Sequence, residues 1–164
     1  MKLKGKVAVI TGAAGGVGKA TVKRLASEGC KVVLIGRNRK SLDKVAEVIQ
    51  EKKNVLAIKA DLTREGEVIS AAEQTISKFE TVDILVNNAG IISDPTPFHL
   101  MTEEQWNLLI NTNLFGTFRM TKAVLPFMLK NKSGSIVNIS SLLGIRAIPN
   151  VPLSIYGVTK AGII

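Results

Sequence analysis

The chain has 164 residues, is 46% hydrophobic with a mean hydropathy of +0.24, and carries 22 basic against 13 acidic residues for a formal charge of +9. No apolar run approaches the roughly 20 residues of a membrane helix, and the start Met1-Lys2-Leu3-Lys4-Gly5-Lys6 lacks the apolar core of a signal peptide, so a cytoplasmic protein with no membrane partner is expected. The charge does not argue for nucleic acid: the lysines and arginines are scattered and 4% aromatic content leaves little for bases to stack on, so a small anionic ligand on a solvated basic surface is the better reading. Cys30, the single cysteine, reads as a packing residue in a reducing compartment.

Strand and helix signals alternate without repeat, low-complexity tract or linker, which predicts one domain over residues 1–164. Val7-Ala8-Val9-Ile10 reads as a first strand, and Thr11-Gly12-Ala13-Ala14-Gly15-Gly16-Val17-Gly18 as the turn into a first helix ending at Gly29. Glycines in such a turn bend the chain tightly, admit a pyrophosphate to the backbone and let the helix pack close to the sheet. Gly12, Gly16, Val17 and Gly18 are therefore candidate cofactor contacts, although taken alone the same cluster also serves an ordinary turn. Lys31-Val32-Val33-Leu34-Ile35 is a second strand. Asn38 or Ser41 caps the next helix, with Leu42, Val45, Ala46 and Ile49 on its inner face.

Val55-Leu56-Ala57-Ile58 predicts a third strand, and Thr63 with Glu65 and Glu67 the start of a helix that turns Val68, Ala71, Ala72, Thr75, Ile76 and Phe79 inward. Val82 to Val86 is a fourth strand and Ile91 to Leu100 a loop. Thr102-Glu103-Glu104-Gln105 then forms a capping box that opens a helical region, with a break, through Met128. Ser135 to Ser140 is a fifth strand, Leu142 to Ser154 a second loop, and the last residues begin a helix. Alternation of this kind implies parallel strands with right-handed crossovers, hence a doubly wound α/β sheet whose ligand crevice lies at the strands' C-terminal ends.

Those ends carry the distinctive residues. The slot where a dinucleotide fold places an acid for the ribose is Gly36, followed by Arg37, whose guanidinium can grip a 2′-phosphate, so NADP(H) is favoured over NAD(H). An exposed arginine preceding a helix is the alternative. Further on stand Asn87-Asn88-Ala89-Gly90, Ser140-Ser141 and Tyr156-Gly157-Val158-Thr159-Lys160. With Thr-Gly-x-x-x-Gly-x-Gly, Asn-Asn-Ala-Gly, a strand-terminal serine and Tyr-x-x-x-Lys in this order, the chain resembles the classical short-chain dehydrogenase/reductase family from Lys6 to its last residue. The resemblance implies a three-layer Rossmann fold with strand order 3-2-1-4-5, and it implies that the family's later strands and substrate-covering segment lie past the end of this chain. The chain is then either a portion of something longer or a natural short form.

The i, i+4 spacing puts Tyr156 and Lys160 on one helical face. A phenol titrating near pH 10 is a poor base at neutrality, a gap of about three pH units or 4 kcal/mol, and one cation at roughly 4 Å supplies about that much at an effective dielectric near 20. Tyr156 is the only tyrosine in the chain. From the family, Tyr156 is the acid/base, Lys160 binds the nicotinamide ribose and favours the phenolate, and Ser141 hydrogen-bonds the carbonyl oxygen. Asn113 is the helix-kinking asparagine that helps hold Lys160 through water, Asp61 and Leu62 lie near the adenine, and Asn88, Ala89 and Gly90 lie under the adenosine. Leu143 faces substrate beside Ser141 and Tyr156. Local roles compete for two of these, a helix surface for Asn113 and a cap for Asp61. A loop longer than usual before Tyr156 leaves Ser140 as the alternative to Ser141. His99 and Arg146 interrupt otherwise apolar pocket walls, and His99 reads as a loop surface residue. The expected partner is a small carbonyl or alcohol, converted without a metal. A homodimer or homotetramer is implied if the fold is complete, pairing through the Asn113 and Tyr156 helices; if it is not, strand five is left as an exposed edge and aggregation or instability is expected. A nucleotide-binding sensor without turnover is the other functional reading.

Overall fold

The computed structural model describes residues 2–164. Its five strands are β1 (Val7–Thr11), β2 (Lys31–Gly36), β3 (Val55–Lys59), β4 (Ile84–Asn87) and β5 (Ser135–Asn138). They form one parallel sheet in the order β3-β2-β1-β4-β5. Six helices accompany them: α1 (Gly16–Ser27), α2 (Arg39–Glu47), α3 (Glu65–Phe79), α4 (Glu103–Leu109), α5 (Gly116–Lys130) and α6 (Ser154–Ala161).

Side chains alternate across a strand, and here the alternation sorts β1 into two cores. Val7 and Val9 join Val68, Ala71 and Ala72 of α3 with Met120 and Val124 of α5, while Ala8 and Ile10 join Val22 of α1 with Leu42 and Val45 of α2. Both faces of the central strands are thus covered by helices, which is why their sequences are continuous apolar runs rather than alternating ones. Strand order reverses direction between β1 and β4, so the crevice opens at the C-terminal ends of those two strands.

Local signals explain the ends of the helices. Asn38, not Ser41, caps α2, its Oδ1 accepting from Ser41 N at 3.0 Å. At α4, Thr102 Oγ1 accepts from Gln105 N at 3.3 Å and Gln105 Oε1 from Thr102 N at 3.0 Å, the reciprocal box its sequence predicts. Gly29 follows α1 with a φ of 90°. Thr63 does not cap α3, which starts after Arg64; its hydroxyl and N–H are both taken by Asp61 two residues earlier. Between α4 and α5 the helix widens into a π-helical stretch, Ile110–Phe115, and α5 carries Pro126 without breaking. β5 is shorter than expected, and all four of its residues are exposed along the sheet edge. Cys30 is buried, and burial, with Asp83 and Glu28 nearby, raises the pKa of its thiol, in keeping with a packing role. Among the described residues no helix is long and apolar enough to cross a membrane.

Candidate active site

The turn after β1 is fixed from below by β4. Thr11, 1% exposed, accepts on Oγ1 from the N–H groups of Asn88 and Ala89, both at 3.0 Å. The Asn88 amide donates back to Thr11 O at 3.0 Å and Gly12 O at 3.1 Å. Gly12 sits at φ 62°, and a Cβ there would stand 2.8 Å from Ala89 Cα. A Cβ on Gly18 would strike Gly12 O and come within 2.8 Å of Asn88 Nδ2. Gly16 faces the other way, with nothing within 4 Å of the same position. The first-turn N–H groups of α1 have no helical partner, Gly15 supplies no side-chain cap, and no acidic residue lies in that turn. The turn is open on its outer side, a geometry suited to an anion.

A groove of about 560 Å³ runs from this cradle along Arg37, Asp61 and Leu62 to Gly90 and Thr112, a size suited to a bound cofactor. Thr112 Oγ1 is buried there without a hydrogen-bond partner. Val17 is 58% exposed at the cradle's lip, whereas Leu62 is buried against Gly116. Arg37 is exposed and makes no salt bridge among the described residues, while its neighbour Arg39 is committed to Asp43 at 2.8 Å. Burial pushes the pKa of Asp61 upward. The two hydrogen bonds from Thr63, with Arg37 and Arg64 nearby, outweigh that and hold it below the usual carboxylate value. The residues present therefore fit a dinucleotide: one groove holds an open cradle, a guanidinium without a salt bridge among the described residues and an orphaned hydroxyl.

The second cluster joins β5 and α6 to the π-helical stretch. Asn113 is fully buried; its Oδ1 accepts from Ile91 N at 2.8 Å, and its Nδ2 donates to Ile91 O at 2.9 Å and Thr159 Oγ1 at 3.2 Å. It is therefore an interior clasp and not a helix-surface residue. Lys160 is 4% exposed. Its ammonium donates to Ile139 O at 2.7 Å and lies 5.8 Å from the Tyr156 ring centroid, and burial lowers its pKa. A Cβ added to Gly90 would stand 3.4 Å from Asn113 Oδ1 and 3.6 Å from Lys160 Nζ, so this cluster adjoins the groove's inner end. Ser140 Oγ donates to Lys160 O at 2.7 Å, whereas Ser141 Oγ only accepts, from Leu143 N at 3.3 Å, and keeps its proton available. The Leu143 carbonyl packs against Gly157 of α6, and Tyr156 is partly exposed. His99 lies exposed on its loop, and no group of His, Cys, Asp or Glu among the described residues could hold a metal ion.

Three participants have no sequence signal of their own, Thr112, Thr159 and the Ile139 carbonyl, while Thr11 heads the glycine motif without its role beneath the turn being readable from it. Thr159 comes closest, since it stands inside a motif whose neighbours Tyr156 and Lys160 are singled out by type.

The chain matches the family described as short chain dehydrogenase over residues 6–164. A 3-oxoacyl-(acyl-carrier-protein) reductase of Thermotoga maritima is 40% identical over 167 residues, covering 100% of this chain and 66% of the relative. One from Synechocystis is 42% identical, covering 99% and 65%. Among solved structures, 3-ketoacyl-(acyl-carrier-protein) reductase from Brucella melitensis complexed with NADH superposes with a TM-score of 0.90 at 37% identity, over 97% of this chain and 66% of that one. NAD+-bound xylitol dehydrogenase superposes at 0.94 and 33%, over 99% and 62%. The chain spans about two thirds of the length of the relatives it matches.

Proposed function

The chain belongs to the short-chain dehydrogenase family, and on that premise we propose that residues 1–164 form one NADP(H)-binding domain of a cytoplasmic oxidoreductase interconverting an alcohol and a ketone or aldehyde. The observation that carries this reading is the convergence on one sheet edge of the open glycine cradle, the unpaired Arg37 and the Tyr156/Lys160/Asn113 cluster. Gly16, Val17 and Gly18 present first-turn N–H groups to the pyrophosphate, Asp61 and Leu62 border the adenine, and Arg37 takes the 2′-phosphate in a two-pronged grip.

Bound NADP(H) supplies or accepts the hydride. On the protein side, Tyr156 gives a proton to the substrate oxygen in reduction and removes it in oxidation. Ser141, whose oxygen is already engaged by Leu143 N, donates its proton to the same oxygen and so steadies developing negative charge there. The Lys160 ammonium favours the phenolate and would bind the nicotinamide ribose, while Asn113 holds its helix in place through Thr159. The apolar loops around Leu143 suit a hydrophobic carbonyl compound, and the reductases named among the relatives make 3-oxoacyl thioesters the first to try. Exposed Leu108, Phe115, Phe118 and Leu129 along residues 103–130 support pairing of this face in a homodimer or homotetramer.

Fluorescence titration tests the cofactor assignment. Arg37→Ala is expected to weaken NADPH binding about 10- to 100-fold, the loss of a charge-assisted phosphate grip, and to leave NADH binding nearly unchanged. Equal effects on both cofactors would remove the basis for NADP(H).

A further inference from the structure

A second groove, larger than the one beside the glycine cradle, lies elsewhere on the molecule. It lies at the opposite end of the sheet, where β2 and β3 begin, and measures about 1020 Å³. Lys4, Lys23, Lys31, Lys53 and Lys78 line it against a single acid, Glu51, and none of the five lysines is in a salt bridge among the described residues. Two of them are positioned: Lys78 donates to Val55 O at 2.8 Å, and Lys31 and Lys78 flank the Phe79 ring at 5.5 and 5.3 Å.

Cations gather naturally where helices end, and α1, α2 and α3 all end here, so their dipoles have to be weighed. Each terminus is worth about half a negative charge. Lys52, outside the groove lining, already caps α2 through Ala46 O at 3.0 Å and Glu47 O at 2.6 Å. Five lysines less Glu51 leave four positive charges, against about one and a half from three helix ends. The groove stays cationic after its structural explanation has been subtracted.

We propose that this groove docks an acidic, amphipathic segment of a partner polypeptide. The rim offers lysine point charges, which suit dispersed carboxylates. An apolar side chain has a place on Val48, 52% exposed beside the rim, while Phe79, 6% exposed, leaves no ring face on which a nucleic-acid base could stack. Because the groove is at the far end of the strands, the segment and NADPH bind together.

Fluorescence anisotropy tests this with three probes of equal length: a labelled peptide alternating Glu and Leu, a poly-Glu peptide and oligothymidylate, each with saturating NADPH at roughly 50 and 200 mM salt. The Glu/Leu peptide should bind saturably and more tightly than either other probe. K23E/K53E should weaken it by about tenfold or more, with NADPH affinity and melting temperature unchanged, and Val48→Ser should weaken the Glu/Leu peptide but not poly-Glu. Absence of saturable binding, indifference to K23E/K53E, tighter binding of oligothymidylate, or equal binding of the two peptides would each overturn the proposal.

Discussion

The β1–β2 side of the sheet and the β5–α6 side are built on different principles. β1 and β2 are paired along both edges, and Val7 to Ile10 and Val32 to Ile35 are all at 0% exposure. β5 is paired along one edge, and its Ile136 and Val137 are 37% and 44% exposed. On the first side the cradle is shaped by backbone and by absent side chains. On the second, side-chain hydrogen bonds of Asn113, Ser140 and Lys160 join the burial of Ile155 in tying α6 to the rest. Each flank should therefore fail in its own manner under mutation, with Lys160 the residue whose proposed roles span both binding and chemistry.

The largest effect belongs to the β5–α6 side. Tyr156→Phe should lower turnover by about a thousandfold, within the usual range for a lost general acid, with NADPH affinity nearly unchanged in titration. A comparable loss of affinity would mean that the two flanks are not separable. On the other side, Gly18→Ala should destabilise the fold by about 1–3 kcal/mol, because its methyl meets Gly12 O and Asn88 with no room to move, and it should abolish NADPH binding. Thermal melting with and without cofactor checks both.

Within the β5–α6 side the two serines should divide. Ser140→Ala leaves the Lys160 carbonyl short of a donor, worth about 1 kcal/mol in melting. Ser141→Ala should instead reduce kcat with little change in stability, and the reverse pattern would move the substrate contact to Ser140. The smallest effect concerns Asp61. Its carboxyl is held below its ordinary value of 3.8, so its stabilising contribution is complete above that pH and is lost as pH falls through the lowered value. Asp61→Asn should flatten the acid limb of the melting temperature against pH.

The β1–β2 side was also the more legible in the sequence. Continuous β-branched runs announced buried parallel strands, and Gly12, Gly18 and Arg37 occupy places that a dinucleotide fold makes conspicuous. Capping succeeded where one residue faced one helix end, as at Thr102, and failed at Thr63, where an adjacent carboxylate competes for the same hydroxyl. The contacts that no local pattern reveals are long-range ones: Thr11 to Asn88 and Ala89, Lys160 to Ile139, and Asn113 to Thr159. Nothing near Thr159 in the chain distinguishes a hydroxyl facing Asn113 from one facing solvent.

Thr11 also bears on the order in which the protein is assembled. Its hydroxyl meets partners 77 and 78 residues further along, and closing so long a loop precedes any reward from the contact. During synthesis the glycine turn emerges early yet lacks its floor until β4 has been made and has slid in beside β1. On the proposed function, a cofactor that binds only the completed turn would favour the state in which β4 is docked beside β1, by mass action.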